Sequence, residues 1–200
     1  MMTSTTWGIE YVPSGYSFTP GAANFGTYAN AYQDNGGKQL TDNIYNGSAS
    51  LSQNVNGNGA AYEYVAWYSS RVTIDFAFSS PAAIRDIQVG SLQDIRSSSS
   101  LIYFPYIDVY SSADGVNYSL ISSVHTGSQT SNAYALLDVP SLNFTSDHVR
   151  VVLSTPTGTG SWIFADEVNF YGVPDGGSTI CLVGLALLGL GAYRQKKVSR

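Results

Sequence analysis

The sequence predicts an all-β fold of antiparallel strands, arranged as a sandwich or barrel and followed by one C-terminal apolar helix. Two observations predict the strands: apolar and polar residues alternate over short runs, and turn-forming residues separate these runs at short intervals. A third observation predicts the helix, because the 18 residues from Gly176 to Tyr193 carry no charge and are rich in Leu and Gly. Helical periodicity is weak in the rest of the chain.

Six runs are predicted to be strands. The clearest is 71–78, where Val72, Ile74, Phe76 and Phe78 fall on one face of an extended chain. Strict alternation of this kind indicates an antiparallel strand with one buried face and one solvated face. The other predicted strands are, in chain order, 84–89, 106–110, 118–121, 149–153 and 162–171.

The chain divides into three parts. Residues 1–17 hold few strand signals, and we expect them to form a loose segment ahead of the domain. The domain itself is predicted to span 18–172, because no long linker or internal repeat interrupts it. Residues 173–200 form a tail with a turn-forming motif at 173–179, an apolar helix at 178–193 and a basic end at 194–200.

Charge and cysteine content exclude several classes of function. All 14 acidic residues but only five of the nine basic ones lie at or before Asp175, so this body has a net charge of 5 − 14 = −9. An acidic body argues against binding to nucleic acid, because that affinity depends on neutralising phosphates with Lys and Arg. Cys181 is the only cysteine, so neither an intrachain disulfide nor a cysteine–histidine zinc site can form.

The tail contains, in order, the parts of a membrane-sorting segment: a turn-forming motif, an apolar stretch and a basic end. As a helix, its uncharged stretch would be about 27 Å long, close to the ~30 Å hydrocarbon core of a bilayer. Basic residues beside an apolar span stay on the cytoplasmic side, so we expect the helix to enter a membrane and the body to be exported. A core helix at the end of a globular domain is the alternative. The basic residues of this stop are Arg194, Lys196 and Lys197.

The three parts together resemble C-terminal sorting signals of the PEP-CTERM type, in the variant that begins Val-Pro-Asp-Ser-Gly. The motif here reads Val173, Pro174, Asp175, Gly176, Gly177, Ser178, Thr179. The resemblance implies processing by an exosortase near Pro174 and delivery to the cell surface or extracellular matrix. A secretory signal peptide is expected with such a tail, but residues 1–31 show no basic region or apolar run. We therefore expect that the true start lies upstream or that a leader has been removed.

Several segments of the body occur in an order that resembles a known domain. They are Asp34–Asn43, Tyr64–Trp67, Val72–Phe76, Ile107–Tyr118, His148–Val151 and Asp166–Gly172. The nearest likeness is in Ile107–Tyr118, where a strand is followed by a Ser-x-Asp-Gly turn. Together they resemble the discoidin domain, also called the coagulation-factor type C domain, of the galactose-binding-like superfamily. The resemblance implies a jelly-roll β-sandwich across 18–172.

A calcium site is the sharpest chemical hypothesis. Calcium takes six to eight hard oxygen ligands, and the resemblance implies a structural ion between the loop 34–43 and a glutamate on the last strand. Asp42 and Glu167 would then supply side-chain oxygens, and Lys38 and Thr41 would supply backbone carbonyls, with Asp34 as a further candidate. The alternative is an ordinary turn in which Asp42 caps backbone amides.

A carbohydrate-binding surface is the second hypothesis. The resemblance implies that sugar sites lie on loops at one end of the sandwich, where an aromatic ring stacks on the sugar. Tyr68 and Tyr103 are better placed for this than Trp67, because the tryptophan at that position usually lies in the core. The full set of candidates is Tyr68, Tyr103, Trp67, Tyr62 and Trp162.

Catalysis has little support in the sequence. His125 and His148 are the only histidines, and no nucleophile elbow is present. Asp166 and Glu167 are neighbours on a predicted strand, and such neighbours point to opposite faces. We therefore predict an exported, non-catalytic domain that binds polysaccharide. The alternative is a structural protein of the matrix or surface that acts by protein–protein contact, and a hydrolase is the third choice.

Overall fold

The computed structural model describes residues 8–20, 34, 36–45, 64–95, 101–127, 131–156 and 162–172. These residues form nine strands: β1 Ile9–Tyr11, β2 Gly15–Thr19, β3 Val65–Tyr68, β4 Arg71–Gln93, β5 Tyr106–Ser112, β6 Ser119–Val124, β7 Ala133–Val139, β8 Phe144–Ser154 and β9 Trp162–Gly172. The described ranges contain no helix long and apolar enough to cross a membrane. The helix and motif predicted for 173–200 lie outside them.

The strands form two antiparallel layers that share β4. In the first layer, the first half of β4 pairs with β2 and β8, and β5 and β6 extend the layer beyond β8. In the second layer, the other half of β4 pairs with β7 and β9, while β1 and β3 both pair with β9. The all-β antiparallel fold predicted from the sequence is therefore confirmed in the part of the chain that the structure describes.

The strand β4 passes from one layer to the other through a bend. Its register with β8 shifts between Ala77 and Ala82, and Pro81 lies in this bend. Proline is tolerated at such irregular positions because no ladder hydrogen bond needs its nitrogen, and strands that switch sheets do so through bends or bulges. The two strands predicted at 71–78 and 84–89 are therefore two halves of one bent strand.

The hydrophobic core lies between the two layers. Phe76 from the first half of β4 meets Phe170 of β9 with ring centroids 4.9 Å apart in a T-shaped contact. Phe78 meets the same Phe170 ring at 5.1 Å. Val72 and Ile74, which share the predicted apolar face, are fully buried. Burial of this face between the layers is the physical reason for the alternation in the sequence.

Two regions of the fold differ from the sequence-based expectation. β1 and most of β2 come from residues 1–17, which we expected to be loose, yet they pair with β9 and β4. In β2 only Tyr16 and Phe18 pack against the core, a run too short to show a period. β7 was also missed, because only Leu137 and Val139 of its seven residues are buried.

The turn between β5 and β6 is organised by Asp114. Its Oδ1 accepts hydrogen bonds from the N–H groups of Val116 (2.9 Å) and Asn117 (2.8 Å) and from the hydroxyl of Ser112 (2.8 Å). These bonds, above all those from Asn117, hold the pKa of Asp114 well below its usual range. The Asp-Gly pair in the sequence thus marks a turn, and the carboxylate of Asp114 stabilises this turn by accepting hydrogen bonds within it.

The glycine of this turn gives the first testable prediction. Gly115 has φ of +69°, and a Cβ there would lie 3.2 Å from the His148 ring. We expect Gly115→Ala to lower the free energy of unfolding by about 1–2 kcal/mol, because left-handed backbone costs about this much for a residue with a Cβ. Urea unfolding measures the change. Gly127→Ala is the control, since its Cβ would meet nothing within 4 Å, and equal losses in both variants would contradict the prediction.

Candidate functional site

The loop 36–45 is fixed between β2 and β9. The carbonyl of Leu40 accepts a hydrogen bond from the N–H of Val168 (2.8 Å), and the N–H of Leu40 donates to the hydroxyl of Tyr16 (3.1 Å). The Leu40 side chain is fully buried in the core. These contacts hold the polar residues that follow Leu40 against the middle of β9.

Two carboxylates meet where this loop contacts β9. The N–H of Ile44 donates both to Asp42 Oδ1 (3.0 Å) and to Glu167 Oε1 (3.2 Å). Glu167 is fully buried, and its Oε2 has no hydrogen-bond partner in the described structure. Burial, and after it the neighbouring Asp42, raise the pKa of Glu167 to about 9. A buried carboxyl group beside a second carboxylate needs either a proton or a cation to offset its charge.

The other calcium candidates take part in the turn. Asp34 Oδ1 accepts from the N–H groups of Lys38 (3.0 Å) and Gln39 (3.2 Å). The Lys38 carbonyl accepts from the N–H of Thr41 (2.8 Å). Within the described residues there is no cluster of three or more His, Cys, Asp or Glu side chains suited to a metal. A cation here would therefore depend on two carboxylates and on backbone carbonyl oxygens.

Tyr45 was missed by the sequence reasoning, although it belongs to the same region. Its hydroxyl accepts a hydrogen bond from Asn169 Nδ2, two residues beyond Glu167 on β9. Burial, the hydrogen bond with Tyr171 and the charge of Glu167 raise the pKa of Tyr45. A tyrosine in a polar loop carries no periodic signal, so only the folded structure reveals this contact.

Asp166 and Glu167 do not follow the simple alternation of a strand. The register between β4 and β9 shifts between Gly90 and Ser91, so that one residue of β9 is extra. Ala165 and Val168 both lie in the core as a result. The bulge therefore places two residues, Asp166 and Glu167, between core positions that a regular strand would separate by one.

The two carboxylates nevertheless have separate partners. Asp166 Oδ1 accepts a hydrogen bond from the Tyr134 hydroxyl (3.3 Å), while Glu167 meets the loop at Ile44. A Cβ on Gly90 would lie 2.0 Å from Asp166 Oδ1, so only glycine lets the backbone of β4 pass so close to this carboxylate. Asp166 is thus placed by packing against Gly90 and Tyr134.

A second candidate surface lies where β3 ends and β9 begins. Tyr68 is 58% exposed, and its ring leans on that of Trp162 with centroids 5.2 Å apart and an interplanar angle of 52°. Trp162 is buried, and its backbone forms an isolated parallel β-bridge with that of Ile102. The half-buried Tyr103, the next residue after Ile102, therefore lies at the same end of the sandwich. Tyr68 is therefore an exposed ring supported by a fixed one.

Trp67, another aromatic candidate, does not reach this surface. Trp67 is 1% exposed, and its ring forms a T-shaped contact with Phe18 at 5.3 Å inside the core. The predicted ligand-binding role of Trp67 is therefore wrong, because alternation along β3 turns Trp67 inward and Tyr68 outward. Tyr62 lies outside the described residues.

Comparison with known proteins identifies the tail and the fold. Residues 172–197 match the VPDSG-CTERM motif, as the sequence predicted. No curated protein matches the sequence. The C-terminal domain of a chitobiase from Bacteroides fragilis superposes with a TM-score of 0.51 at 17% identity, over 82% of this chain and 98% of that domain. A truncated AlyQ with CBM32 and alginate lyase domains gives 0.50 at 12% identity, over 84% of this chain.

The described strands therefore have the fold of the chitobiase C-terminal domain and of the AlyQ structure. This chain joins this sandwich to a VPDSG-CTERM motif. The match covers only 34% of the AlyQ chain, so this chain spans about a third of that protein. At these identities, the similarity shows the fold alone. The ligand and any activity have to be inferred from the residues of this chain.

Proposed function

We propose that this chain is an exported, non-catalytic module that binds extracellular or cell-surface polysaccharide. The observation that carries the proposal is the exposed ring of Tyr68, which is held in place by the buried Trp162. A supported tyrosine offers a large apolar surface at little cost in conformational entropy, and a sugar presents a matching apolar face. Tyr103, at the same end of the sandwich, is the second ligand-binding residue.

The two similar structures support the class of ligand. One is a domain of a chitobiase, and the other carries a CBM32 and an alginate lyase domain. Both names concern carbohydrates. The sandwich of this chain is proposed to act by binding alone, because the sequence contains no nucleophile elbow.

The tail is proposed to decide where the domain acts. The VPDSG-CTERM motif supports recognition by an exosortase. The apolar stretch 178–193 would hold the chain in the membrane before processing, with the basic end 194–200 on the cytoplasmic side. The domain would then be delivered to the cell surface or the extracellular matrix.

A structural calcium ion is proposed between Asp42 and Glu167. The unpartnered Oε2 of Glu167 and the adjacent carboxylate of Asp42 fit a hard cation. Backbone carbonyls of Lys38 and Thr41 would complete the oxygen ligands, with Asp34 ordering the turn. The bound ion would supply the positive charge that lets both carboxylates ionise, and it would tie the loop 36–45 to β9.

A binding screen of the full chain tests the proposed function. Soluble and insoluble polysaccharides are offered to the purified chain in mild detergent, with Ca²⁺ and with EGTA, and release of reducing sugar is measured in parallel. We expect saturable binding to at least one polysaccharide and no release of sugar. Folded protein that binds none of them would contradict the proposal.

A structural role by protein–protein contact is the second candidate. One observation favours it: β6 is the outer strand of the first layer and exposes Leu120 (56%) and Ile121 (38%). An edge strand without charged residues can pair with another chain. Failure of the screen, combined with self-association of the full chain through β6, would favour this candidate.

A further inference from the structure

The outer face of the first layer carries an ordered row of aromatic and polar side chains along β5. Ile107 and Val109 are fully buried in the core. Successive residues of a strand face opposite sides, so Tyr106, Asp108 and Tyr110 point outward, and each is partly exposed. This row belongs to a different layer from Tyr68, which lies on β3.

The row is held in place by neighbours on β6 and the segment that follows it. The ring of Tyr106 stacks on that of His125 with centroids 4.3 Å apart and an interplanar angle of 17°. Asp108 Oδ1 accepts a hydrogen bond from the hydroxyl of Ser123 (2.5 Å). The stacked pair and the carboxylate are therefore positioned before any ligand arrives, which lowers the entropic cost of binding.

The other end of the row is held by an ion pair. Arg150 lies opposite Tyr110 in register and donates to both oxygens of Asp75, from Nε at 2.6 Å and from a terminal nitrogen at 3.1 Å. Its guanidinium also lies 3.8 Å from the ring centre of Tyr118. A bidentate pair combined with a cation–π contact fixes Arg150 and Tyr118 relative to each other.

The charges of this face select the kind of ligand. Arg150 is the cation of the row, and both oxygens of Asp75 already occupy it. With Asp108 added, these three groups have a net charge of +1 − 2 = −1. Along β5 itself the charged side chain is Asp108, which would repel an anionic polymer but can accept hydrogen bonds from hydroxyl groups. The exposed cation Arg71 lies on the same face but on β4, with β8 between it and Tyr106.

We infer that this row is a second carbohydrate-binding surface, which takes internal stretches of a neutral linear polysaccharide. Tyr106 and Tyr110 are four residues apart on one strand, and therefore about 13 Å apart along it. One sugar ring cannot reach both, but a chain lying along β5 can contact both rings, with Asp108 between them. The inference takes the class of ligand from the proposed function, but the surface on β5 is inferred independently of the site at Tyr68.

Affinity electrophoresis of the full chain tests the inference. The gels contain galactomannan or xylan as neutral polymers, or polygalacturonate as an acidic one. We expect a neutral polymer to retard the chain, Tyr106→Ala to weaken that affinity at least ten-fold, and Asp108→Asn to weaken it about three-fold or more. Ser17→Ala is the matched control, because Ser17 is exposed on β2 opposite Asp75, and we expect it to migrate as the wild type does.

The outcomes separate this surface from the site at Tyr68. Tyr68→Ala is expected to keep the part of the retardation by the neutral polymer that Tyr106→Ala removes. If Tyr106→Ala and Asp108→Asn are both retarded like the wild type, the inference is overturned even when the proposed function stands. Retardation by polygalacturonate alone, or by no polymer, also overturns it. If Tyr106→Ala does not fold, the isosteric Asp108→Asn decides.

Discussion

Removal of calcium at pH 8 is expected to lower the free energy of unfolding of the full chain by about 3–5 kcal/mol. The proposed ion offsets two carboxylates, one of them fully buried at Glu167. Without the ion, the folded protein must keep a proton on Glu167 at pH 8, well above its ordinary pKa of 4.5, which costs about this much. Urea unfolding with Ca²⁺ and with EGTA, followed by tryptophan fluorescence, measures the difference.

The effect of the chelator should depend on pH in a defined direction. Without the ion, Glu167 has a pKa of about 9 in the folded protein against 4.5 as its ordinary value. A raised pKa means that the folded state keeps the proton longer than the unfolded state does. The stability from this group is therefore fully present below pH 4.5 and falls by up to about 1.4 kcal/mol per pH unit until pH 9. The chelator should accordingly have a small effect at pH 5 and a large one at pH 8.

Glu167→Gln is the matched variant for this experiment. Glutamine keeps the shape but carries no charge, so the variant should lose both the response to Ca²⁺ and the fall in stability between pH 5 and pH 8. Asp138→Asn is a control, because Asp138 is exposed and bonded to Gln88 on another strand. If EGTA does not change the free energy of unfolding of the wild-type chain at pH 8, the proposed calcium site is refuted.

Tyr68→Ala is expected to weaken binding of a polysaccharide oligomer found by the screen at least about 30-fold. A supported, central aromatic residue typically contributes about 2 kcal/mol or more to a binding surface. Because Tyr68 is 58% exposed, its removal should leave thermal stability nearly unchanged. Titration calorimetry of the full chain with the oligomer gives the affinity.

Two further variants sharpen this test. Tyr68→Phe keeps the ring and should bind close to the wild type if stacking carries the affinity. Val116→Ala removes an exposed apolar side chain in the β5–β6 turn (77% exposed) and should bind normally. If Tyr68→Ala binds the oligomer with the affinity of the wild type, Tyr68 is not part of the binding site, even if the screen finds a ligand.

Much of the fold was predictable because local patterns report local burial. The alternation from Val72 to Phe78 predicted the buried face of β4, and it lies in the core. β7 escaped prediction because only two of its residues are buried. β2 was not predicted because its two core-facing residues are too few to form a pattern. In these strands, pairing with β4 decides the structure.

The candidate sites were less predictable from the sequence. Trp67 and Tyr68 are neighbours of similar chemistry, yet one is buried against Phe18 and the other is exposed on Trp162. The direction of each side chain depends on which face of β3 meets the core, and four residues do not reveal it. The resemblance to discoidin domains pointed to Asp42 and Glu167, but only the fold shows the unpartnered oxygen between them.

The sequence by itself determined the all-β class, the Asp114 turn and the VPDSG-CTERM tail, because each depends on residues close together in the chain. Tertiary structure alone decided three other features: the bulge at Asp166 and Glu167, the exposure of Tyr68, and the row on β5. Ile44 and Glu167 are 123 positions apart, yet they share a hydrogen bond. Such contacts arise when the two layers pack, and no local pattern of residues encodes that packing.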